Sequence, residues 1–344
     1  MSKVAKRIVR IFLFFIVSVV LFWLVFRDQD WQEMGNVLKK EVHYGWIWAA
    51  VVLGLASHVA RSLRWVLLAG SMGYRISFWN SFMGVMTGYL SNIALPRMGE
   101  FTRCAIVSKY EKVPFANLLG TVVTERIIDL LLMLLMTLLA LVTQFKQIVL
   151  FLGRNGEIGE KVSGFLHSGW VWVVSGALLL SGYAGWKLLR KSAFYERIRG
   201  FASGLKAGLL SVRDVRQKGR FIFYSLFIWG MFYLSFYVCF FCFEFTSHLG
   251  PLAGLAVFVI SSYGMIAPVQ GGIGAWHFMV IAGLAIYLPA ADYREMSGIF
   301  AILTHAVMTL SYIVVGGICF LALPLYNARR HRKRREAGNA ECCS

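Results

Sequence analysis

Charged side chains within apolar segments are the strongest chemical signal in this sequence. The segment 115–143 is apolar apart from T-E-R-I-I-D, which contains Glu125, Arg126 and Asp129. The two carboxylates are four residues apart and share a helix face, and Arg126 lies three residues before Asp129. An ionised side chain costs about 2.5–3.5 kcal/mol at the bilayer centre on insertion scales, so such residues usually pair inside the protein. This spacing predicts an interior ion-pair cluster; the alternative is a helix end at headgroup depth, which Pro114 would favour.

Two further cations lie in the apolar segment 46–70. Ser57, Arg61 and Arg64 are spaced at i, i+4 and i+7 and therefore share one helix face. Arg61 is nearly three turns from Gly70, too deep for easy snorkelling. Its planar donors match a carboxylate or a phosphate, so we expect it to contact Glu125, Asp129 or a lipid phosphate. For Arg64, an ion pair inside the protein and snorkelling to the headgroups are equally compatible with the sequence.

Helix-breaking residues interrupt the apolar segments at two places. The first break is N-I-A-L-P-R-M-G-E-F-T-R at 92–103, where Pro96 and Gly99 break the helix and three charged residues follow, Arg97, Glu100 and Arg103. Backbone groups freed at membrane depth must line protein or water. Transporters build midplane sites from such broken helices, with half-helix N-termini facing anions.

The second break is M-I-A-P-V-Q-G-G-I-G-A-W-H at 265–277. The two breaks share I-A-(L)-P-x-x-G, and each follows a short apolar run and precedes another helix. With the topology given below, the first hairpin opens from the cytoplasm and the second from outside. This is the arrangement expected of inverted repeats. Residues 79–95 either dip in and return or cross with a short partner.

Composition places the chain in a membrane. Of its 344 residues, 58% are hydrophobic and only 15% are charged, and the mean hydropathy is +0.65. Apolar runs of 18 residues or more, long enough to span a hydrocarbon layer of ~30 Å, recur along the chain. They are continuous rather than alternating, which favours helices over the strands of a barrel. We therefore expect an all-α, polytopic helical bundle with two broken or re-entrant hairpins.

The net charge of +18 is distributed as in a membrane protein rather than a nucleic-acid-binding one. Five segments hold 27 of the 35 Lys and Arg residues: the N-terminus, 61–78, 97–112, 187–220 and the C-terminal tail. This bias follows the positive-inside rule and predicts that both termini are cytoplasmic. We expect an integral protein of the bacterial inner membrane, with anionic lipids and not nucleic acid as partners.

Three regions are predicted. Residues 1–45 form a first transmembrane helix and an outer loop, residues 46–324 a helical membrane domain, and residues 325–344 a basic cytoplasmic tail. Further spanning helices are predicted at 169–189, 221–245 and 297–324. Within the domain, residues 190–220 form a basic amphipathic segment, either in the membrane interface or as a cytosolic connector. The sequence contains no P-loop and no metal-ligand spacing, so we expect no cofactor, no metal and no enzyme.

Four motifs together resemble the flippase-like transmembrane region of lysylphosphatidylglycerol synthases. They are R-S-L-R-W, N-I-A-L-P-R-M-G-E-F-T-R, T-E-R-I-I-D and P-V-Q-G-G-I-G, and the resemblance covers most of residues 45–324. It implies movement of a lipid between leaflets. In bifunctional members a separate cytosolic domain transfers lysine from its tRNA. We expect this chain to lack that domain, because its longest non-membrane stretch is 187–220.

The resemblance also implies a set of site residues. These are Asn92, Pro96, Arg97, Gly99, Glu100, Arg103, Glu125, Arg126, Asp129, Gly271, Gly272 and Gly274. Family members usually carry an acidic residue three positions after G-G-x-G, where this chain has His277, and Gln270 stands before Gly271 in place of proline. This departure argues against lysylphosphatidylglycerol itself as the substrate.

The leading hypothesis is a lipid flippase for a phosphate-bearing lipid. Arg61, Arg97 or Arg103 would hold the phosphate, the carboxylates would balance charge in the empty site, and His277 would belong to the second half of the site. Two alternatives remain: a membrane-embedded transferase acting on a lipid-linked substrate, and a membrane anchor for a cytosolic lipid-modifying enzyme.

Overall fold

The computed structural model describes residues 16, 19–27, 31–154, 215–267, 269–288 and 293–342. Within these residues all regular structure is helical, with no strand. The helix predicted over 169–189 and the basic segment from 190 to 214 lie outside the described residues.

Eleven α-helices are described. In chain order they are α1 (residues 19–26), α2 (Trp31–Lys40), α3 (Gly45–Ser71), α4 (Phe78–Ala94), α5 (Gly99–Glu111), α6 (Phe115–Arg154), α7 (Lys218–Val238), α8 (Glu244–Ser247), α9 (Pro251–Gly264), α10 (Ala275–Leu284) and α11 (Tyr293–Cys342). Short 3-10 turns cover Cys239–Cys242 and Gln270–Gly272. In this part of the chain α3, α6, α7 and α11 are long and apolar enough to cross a membrane, and α9 is shorter but also apolar. The all-α polytopic architecture is confirmed.

The first predicted break forms a helical hairpin between α4 and α5. A residue before proline is disfavoured in the helical region, and Leu95, which precedes Pro96, is extended with φ −138° and ψ 119°. Arg97 then adopts φ 60°, which reverses the chain. The two arms pack closely where Gly88 faces Gly99: a Cβ on Gly88 would stand 2.8 Å from the Gly99 carbonyl oxygen. Small residues thus let the two backbones approach.

The second predicted break gives a hairpin of the same kind between α9 and α10. Gly271, Gly272 and Gly274 have φ values of 58°, 81° and 81°, a region that favours glycine. Near the tip, a Cβ on Gly264 would lie 2.7 Å from the Cα of Trp276. Both hairpins therefore consist of two helices joined at a predicted break, with a close glycine contact beside it. The inverted relation of the two hairpins stays a prediction.

Aromatic side chains fill the core that supports the second hairpin. The ring of Phe236 on α7 lies edge-on to Trp276 of α10, at a centroid distance of 6.2 Å, and to Phe300 of α11, at 5.9 Å. All three side chains are buried. Because the rings come from three helices, they fix α10 against α7 and α11.

A polar cluster joins the base of the first hairpin to α11. The buried amides of Asn80 and Asn327 bond reciprocally, with N···O distances of 2.9 and 2.8 Å. Glu111 accepts bonds from the Asn80 amide and the Ser77 backbone N–H, and it pairs with Arg330. The open end of the hairpin is therefore tied to the last helix by groups from both arms.

We predict that Asn327→Leu destabilises the protein by about 1–3 kcal/mol, because it leaves the buried Asn80 amide without one of its partners. Unfolding of the purified protein in detergent would measure this. Leu321→Ala on the same helix is the control, since Leu321 is 69% exposed and should tolerate truncation. Equal stability of the Asn327→Leu variant and the parent protein would contradict the anchoring role.

Candidate functional site

Arg64 is the centre of a buried ion-pair network. Its Nη2 lies 2.9 Å from Asp129 Oδ1, its Nε lies 3.4 Å from Glu125 Oε1, and its Nη1 donates to Ser225 Oγ at 3.3 Å. The Arg64 side chain is 0% exposed. One guanidinium therefore joins helices α3, α6 and α7 inside the apolar bundle.

Arg61 and Arg103 extend the network on either side. Arg61 Nη1 lies 3.1 Å from Asp129 Oδ2, and Arg103 Nη2 lies 2.6 Å from Glu125 Oε2. Arg103 also stands over the Trp65 ring, 4.8 Å from its centroid, and adds a cation–π contact. Since Arg103 lies on α5, the network includes the returning arm of the first hairpin.

The network reaches the protein surface at Arg126 and Glu100. Arg126 Nη2 lies 3.3 Å from Asp129 Oδ2, and its Nε lies 3.7 Å from Glu100 Oε1. These two side chains are 46% and 31% exposed, whereas Glu125 is fully buried. The chain of ion pairs therefore runs from an accessible edge to a closed interior.

The network carries an excess of positive charge. Among the described residues it connects four guanidinium groups to three carboxylates, Glu100, Glu125 and Asp129. At 1.5 Å per residue, Arg61 stands about 15 Å from the end of α3 at Ser71. At this depth a cation without a counter-charge is costly, which makes the site attractive to an anion.

The tips of the two hairpins contact each other directly. The Arg97 guanidinium of the first tip donates to the Ile266 carbonyl of the second. In return, Gln270 of the second tip donates through Nε2 to the Ala94 carbonyl of the first, at 3.3 Å. These side-chain-to-backbone bonds satisfy carbonyl groups that the helix breaks expose, and they hold the two breaks together.

Asn92 and His277 each accept a backbone N–H beside a break. Asn92 Oδ1 accepts from Gly99 N at 2.7 Å, where α5 begins. His277 Nδ1 accepts from Gly274 N at 3.2 Å, where α10 begins. His277 is the third residue of α10, the position at which Glu or Gln completes a capping box. The imidazole thus does here what an acidic side chain can do at the same position.

The surroundings of His277 are aromatic. Its ring lies 5.3 Å from Phe26 and 4.5 Å from His305, centroid to centroid, and His305 Nε2 donates to the Gly271 carbonyl at 2.9 Å. Helix α1 passes close to the same break, because a Cβ on Gly274 would lie 2.9 Å from the Leu21 carbonyl carbon. Two histidines and α1 therefore stabilise the second tip.

The fourteen candidate residues fall into two groups. Six share the ion-pair network, namely Arg61, Glu100, Arg103, Glu125, Arg126 and Asp129, and eight lie at the hairpin tips, namely Asn92, Pro96, Arg97, Gly99, Gly271, Gly272, Gly274 and His277. Glu100 connects the two groups, because it pairs with Arg126 of the network and lies four residues after Pro96 of the first tip.

Sequence reasoning left the role of Arg64 open and missed Ser225. The snorkelling alternative for Arg64 is wrong, because its guanidinium is fully buried and faces two carboxylates. The signal was its position three residues after Arg61, on the same helix face. Ser225 carried no signal of its own in an aromatic segment.

Comparisons with known proteins give one family and one relative. A family model described as the lysylphosphatidylglycerol synthase TM region matches residues 10–316. A UPF0104 membrane protein of Methanocaldococcus jannaschii is 35% identical over 104 residues, which is 28% of this chain and 31% of that protein. The aligned part therefore covers less than a third of that relative. No solved structure matches.

We predict different effects for the centre and the edge of the network. Arg64→Leu leaves buried carboxylate oxygens without a partner and should lower the free energy of unfolding by about 3–5 kcal/mol. Arg126→Leu should change it by less than about 1 kcal/mol, because the Arg126 side chain is 46% exposed. Denaturation of the purified protein in mixed micelles would compare the two variants.

Should Arg64→Leu fail to accumulate, Arg64→Lys serves in its place, since it keeps the charge and loses the forked donors. The stability of Arg64→Lys should be lower than that of the parent protein and of Arg126→Leu. The variant should nevertheless fold. Equal stability of the Arg64 and Arg126 variants would show that the burial of Arg64 carries no energetic weight.

We also predict that His277 acts as a helix cap. His277→Leu keeps most of the ring volume but removes the acceptor, and it should lower stability by about 0.5–2 kcal/mol. His277→Gln supplies a capping-box side chain and should recover most of this loss. Thermal unfolding would rank the variants, and a Gln variant no better than the Leu variant would rule out capping.

Proposed function

This chain belongs to the lysylphosphatidylglycerol synthase transmembrane-region family, and from that premise we propose that it moves a phosphate-bearing lipid between the leaflets of its membrane. The observation that carries the proposal is the buried network with one more guanidinium than carboxylate, open to the surface at one edge. A phosphate group supplies the missing negative charge, and its oxygens match the planar donors of arginine.

The exposed edge is the entry for the headgroup. Arg126 has one interior partner, Asp129, at 3.3 Å and one looser partner, Glu100, at 3.7 Å. A phosphate that approaches Arg126 competes with Glu100 and leaves the buried pairs intact. The carboxylates thus hold the arginines in place when no lipid is bound, and one positive charge is left for the phosphate to balance.

The paired hairpin tips are the gate of this mechanism. Arg97 and Gln270 each bond a carbonyl of the opposite tip, so the tips close the path between the two halves. The Arg97 bond is exposed and the Gln270 bond is partly buried, whereas most of the ion-pair network is buried and multiply bonded. Separation of the tips around a fixed site is how repeat-based transporters alternate access.

The proposed orientation places both chain ends in the cytoplasm of a bacterial cell, in its inner membrane. The distribution of Lys and Arg supports it, with 27 of 35 on the assigned inner side. In this orientation α3 ends at Ser71 on the cytoplasmic side, so the network lies in the inner half of the bilayer. The lipid is therefore taken from the cytoplasmic leaflet.

We predict that the reconstituted protein accelerates the exchange of fluorescent phosphatidylglycerol between leaflets but not that of fluorescent glucosylceramide, which lacks a phosphate. Dithionite quenching of vesicles would measure both rates. The double variant Glu100→Gln with Arg126→Gln should slow phosphatidylglycerol exchange by about tenfold, equal to ~1.4 kcal/mol in the barrier.

Leu131→Ala is the matched control, since Leu131 lies on α6 at nearly the same depth as Asp129 but on a different helix face, and it is 60% exposed. It should exchange lipid at the rate of the parent protein. Exchange that is no faster than in protein-free vesicles, or that the double variant leaves unchanged, would argue against lipid transport through this site.

A further inference from the structure

Two buried polar atoms on α3 have no hydrogen-bond partner among the residues that the structure describes. They are His58 Nδ1 and Arg61 Nε, on side chains that are 2% and 4% exposed. The two residues are three apart on one helix and therefore share a face. A buried donor or acceptor without a partner costs about 1–3 kcal/mol, so two of them side by side call for an occupant.

Aromatic rings from three other helices surround this pair. Tyr89 of α4, Phe232 of α7 and Tyr312 of α11 lie 4.5, 5.5 and 5.5 Å from the His58 ring, centroid to centroid. Phe232 also lies 5.6 Å from the Arg61 Cζ, and the two tyrosines stack on each other at 4.7 Å. The residues of the three rings are partly buried, whereas the pair that they surround is almost completely enclosed.

The pair lies at the middle of the membrane-spanning helix. His58 is the central residue of α3, which runs from Gly45 to Ser71, and Arg61 is one turn closer to Ser71. Arg61 also belongs to the ion-pair network through Asp129. The pair is therefore the deep end of the path that starts at Arg126 and Glu100.

The chemistry of the two free atoms selects an anion. Arg61 Nε is a donor in every protonation state, and His58 Nδ1 donates in one of its neutral tautomers. Two unpartnered donors on one helix face, beside an uncompensated positive charge, fit a negatively charged oxygen. A water molecule would satisfy the hydrogen bonds but would leave the charge of the network unbalanced.

We infer that His58 and Arg61, enclosed by Tyr89, Phe232 and Tyr312, form a midplane subsite for an anionic phosphate oxygen. The inference rests on the proposed function and adds a second binding position for the phosphate. The phosphate enters at Arg126 and then binds at the unpartnered Nε of Arg61. The aromatic wall excludes water there, which strengthens the charge-assisted bonds.

Binding to the purified full-length chain in detergent tests this subsite. The probes are dioctanoyl phosphatidylglycerol, glycerol 3-phosphate and dioctanoylglycerol, which separate a lipid-borne phosphate from a free one and from the lipid alone. The phosphorylated lipid should bind, and dioctanoylglycerol should not. Glycerol 3-phosphate binding, if also sensitive to His58, identifies a phosphate site that does not need the acyl chains.

Two variants remove the free atoms and keep the surroundings. His58→Phe retains a ring for the aromatic contacts but has no ring nitrogen, and Arg61→Lys retains a charge for Asp129 but has no Nε fork. Each should weaken binding of the phosphorylated lipid about tenfold. Phe232→Leu is the matched control for packing, because it alters the wall and leaves both polar atoms; it should weaken binding less than His58→Phe does. Unfolding curves confirm that each variant is folded.

The outcomes separate this inference from the proposed function. A folded His58→Phe variant that binds the phosphorylated lipid as tightly as the parent protein overturns the subsite, even where lipid exchange persists. If lipid binding depends on His58 and Arg61 but the protein does not accelerate lipid exchange, the subsite is supported and the proposed flippase function is rejected. If Arg61→Lys does not fold, His58→Phe decides alone.

Discussion

The need to balance several buried charges organises this protein. Arg64 is fully enclosed, and it is tolerated there because Glu125, Asp129 and Ser225 together satisfy its guanidinium. In hydrocarbon, loss of these bonds would leave an unpaired ion. The charged groups therefore restrict the relative positions of their helices more than apolar contacts could. Helices α3, α6 and α7 share this one cation and are therefore held in a single arrangement.

The first hairpin depends on the same network. Glu100 and Arg103 lie in the first two turns of α5 and reach Arg126 and Glu125, so the returning arm is fixed by charge as soon as the chain leaves the break. At the other end of the hairpin, Glu111 and Asn80 bond to α11. Between these two anchors the described contacts of the tip are hydrogen bonds rather than ion pairs, among them the bond to Asn92 within the hairpin and the bonds of Arg97 and Gln270 across to the other tip. The gate that we propose therefore lies at the tips.

The sequence was a good guide wherever chemistry and spacing coincided. Charges inside apolar runs identified Asp129 as one of three possible partners of Arg61, and Pro96 predicted the end of α4, because proline acts on its neighbour whatever the tertiary structure. It was a poor guide to partners distant along the chain, such as Asn80 and Asn327. Asn92 and His277 were predicted from a family pattern as site residues, yet in the structure each accepts a backbone N–H beside a break. Periodicity could not reveal those bonds, since they exist only once the backbone has left the helix.

The two kinds of site residue place different limits on change. A residue that caps a break, such as His277, can be replaced by a side chain that places a hydrogen-bond acceptor at the same position. A histidine in place of an acidic residue then changes the charge but not the capping role. A residue of the network has no such freedom, because each guanidinium faces carboxylates at set distances. Arg61 stands between these cases: Asp129 occupies one end of its guanidinium, and its Nε stays free among aromatic rings. The charge network can therefore bind a ligand at Arg61 Nε, because a bond formed at this atom does not require any ion pair to break.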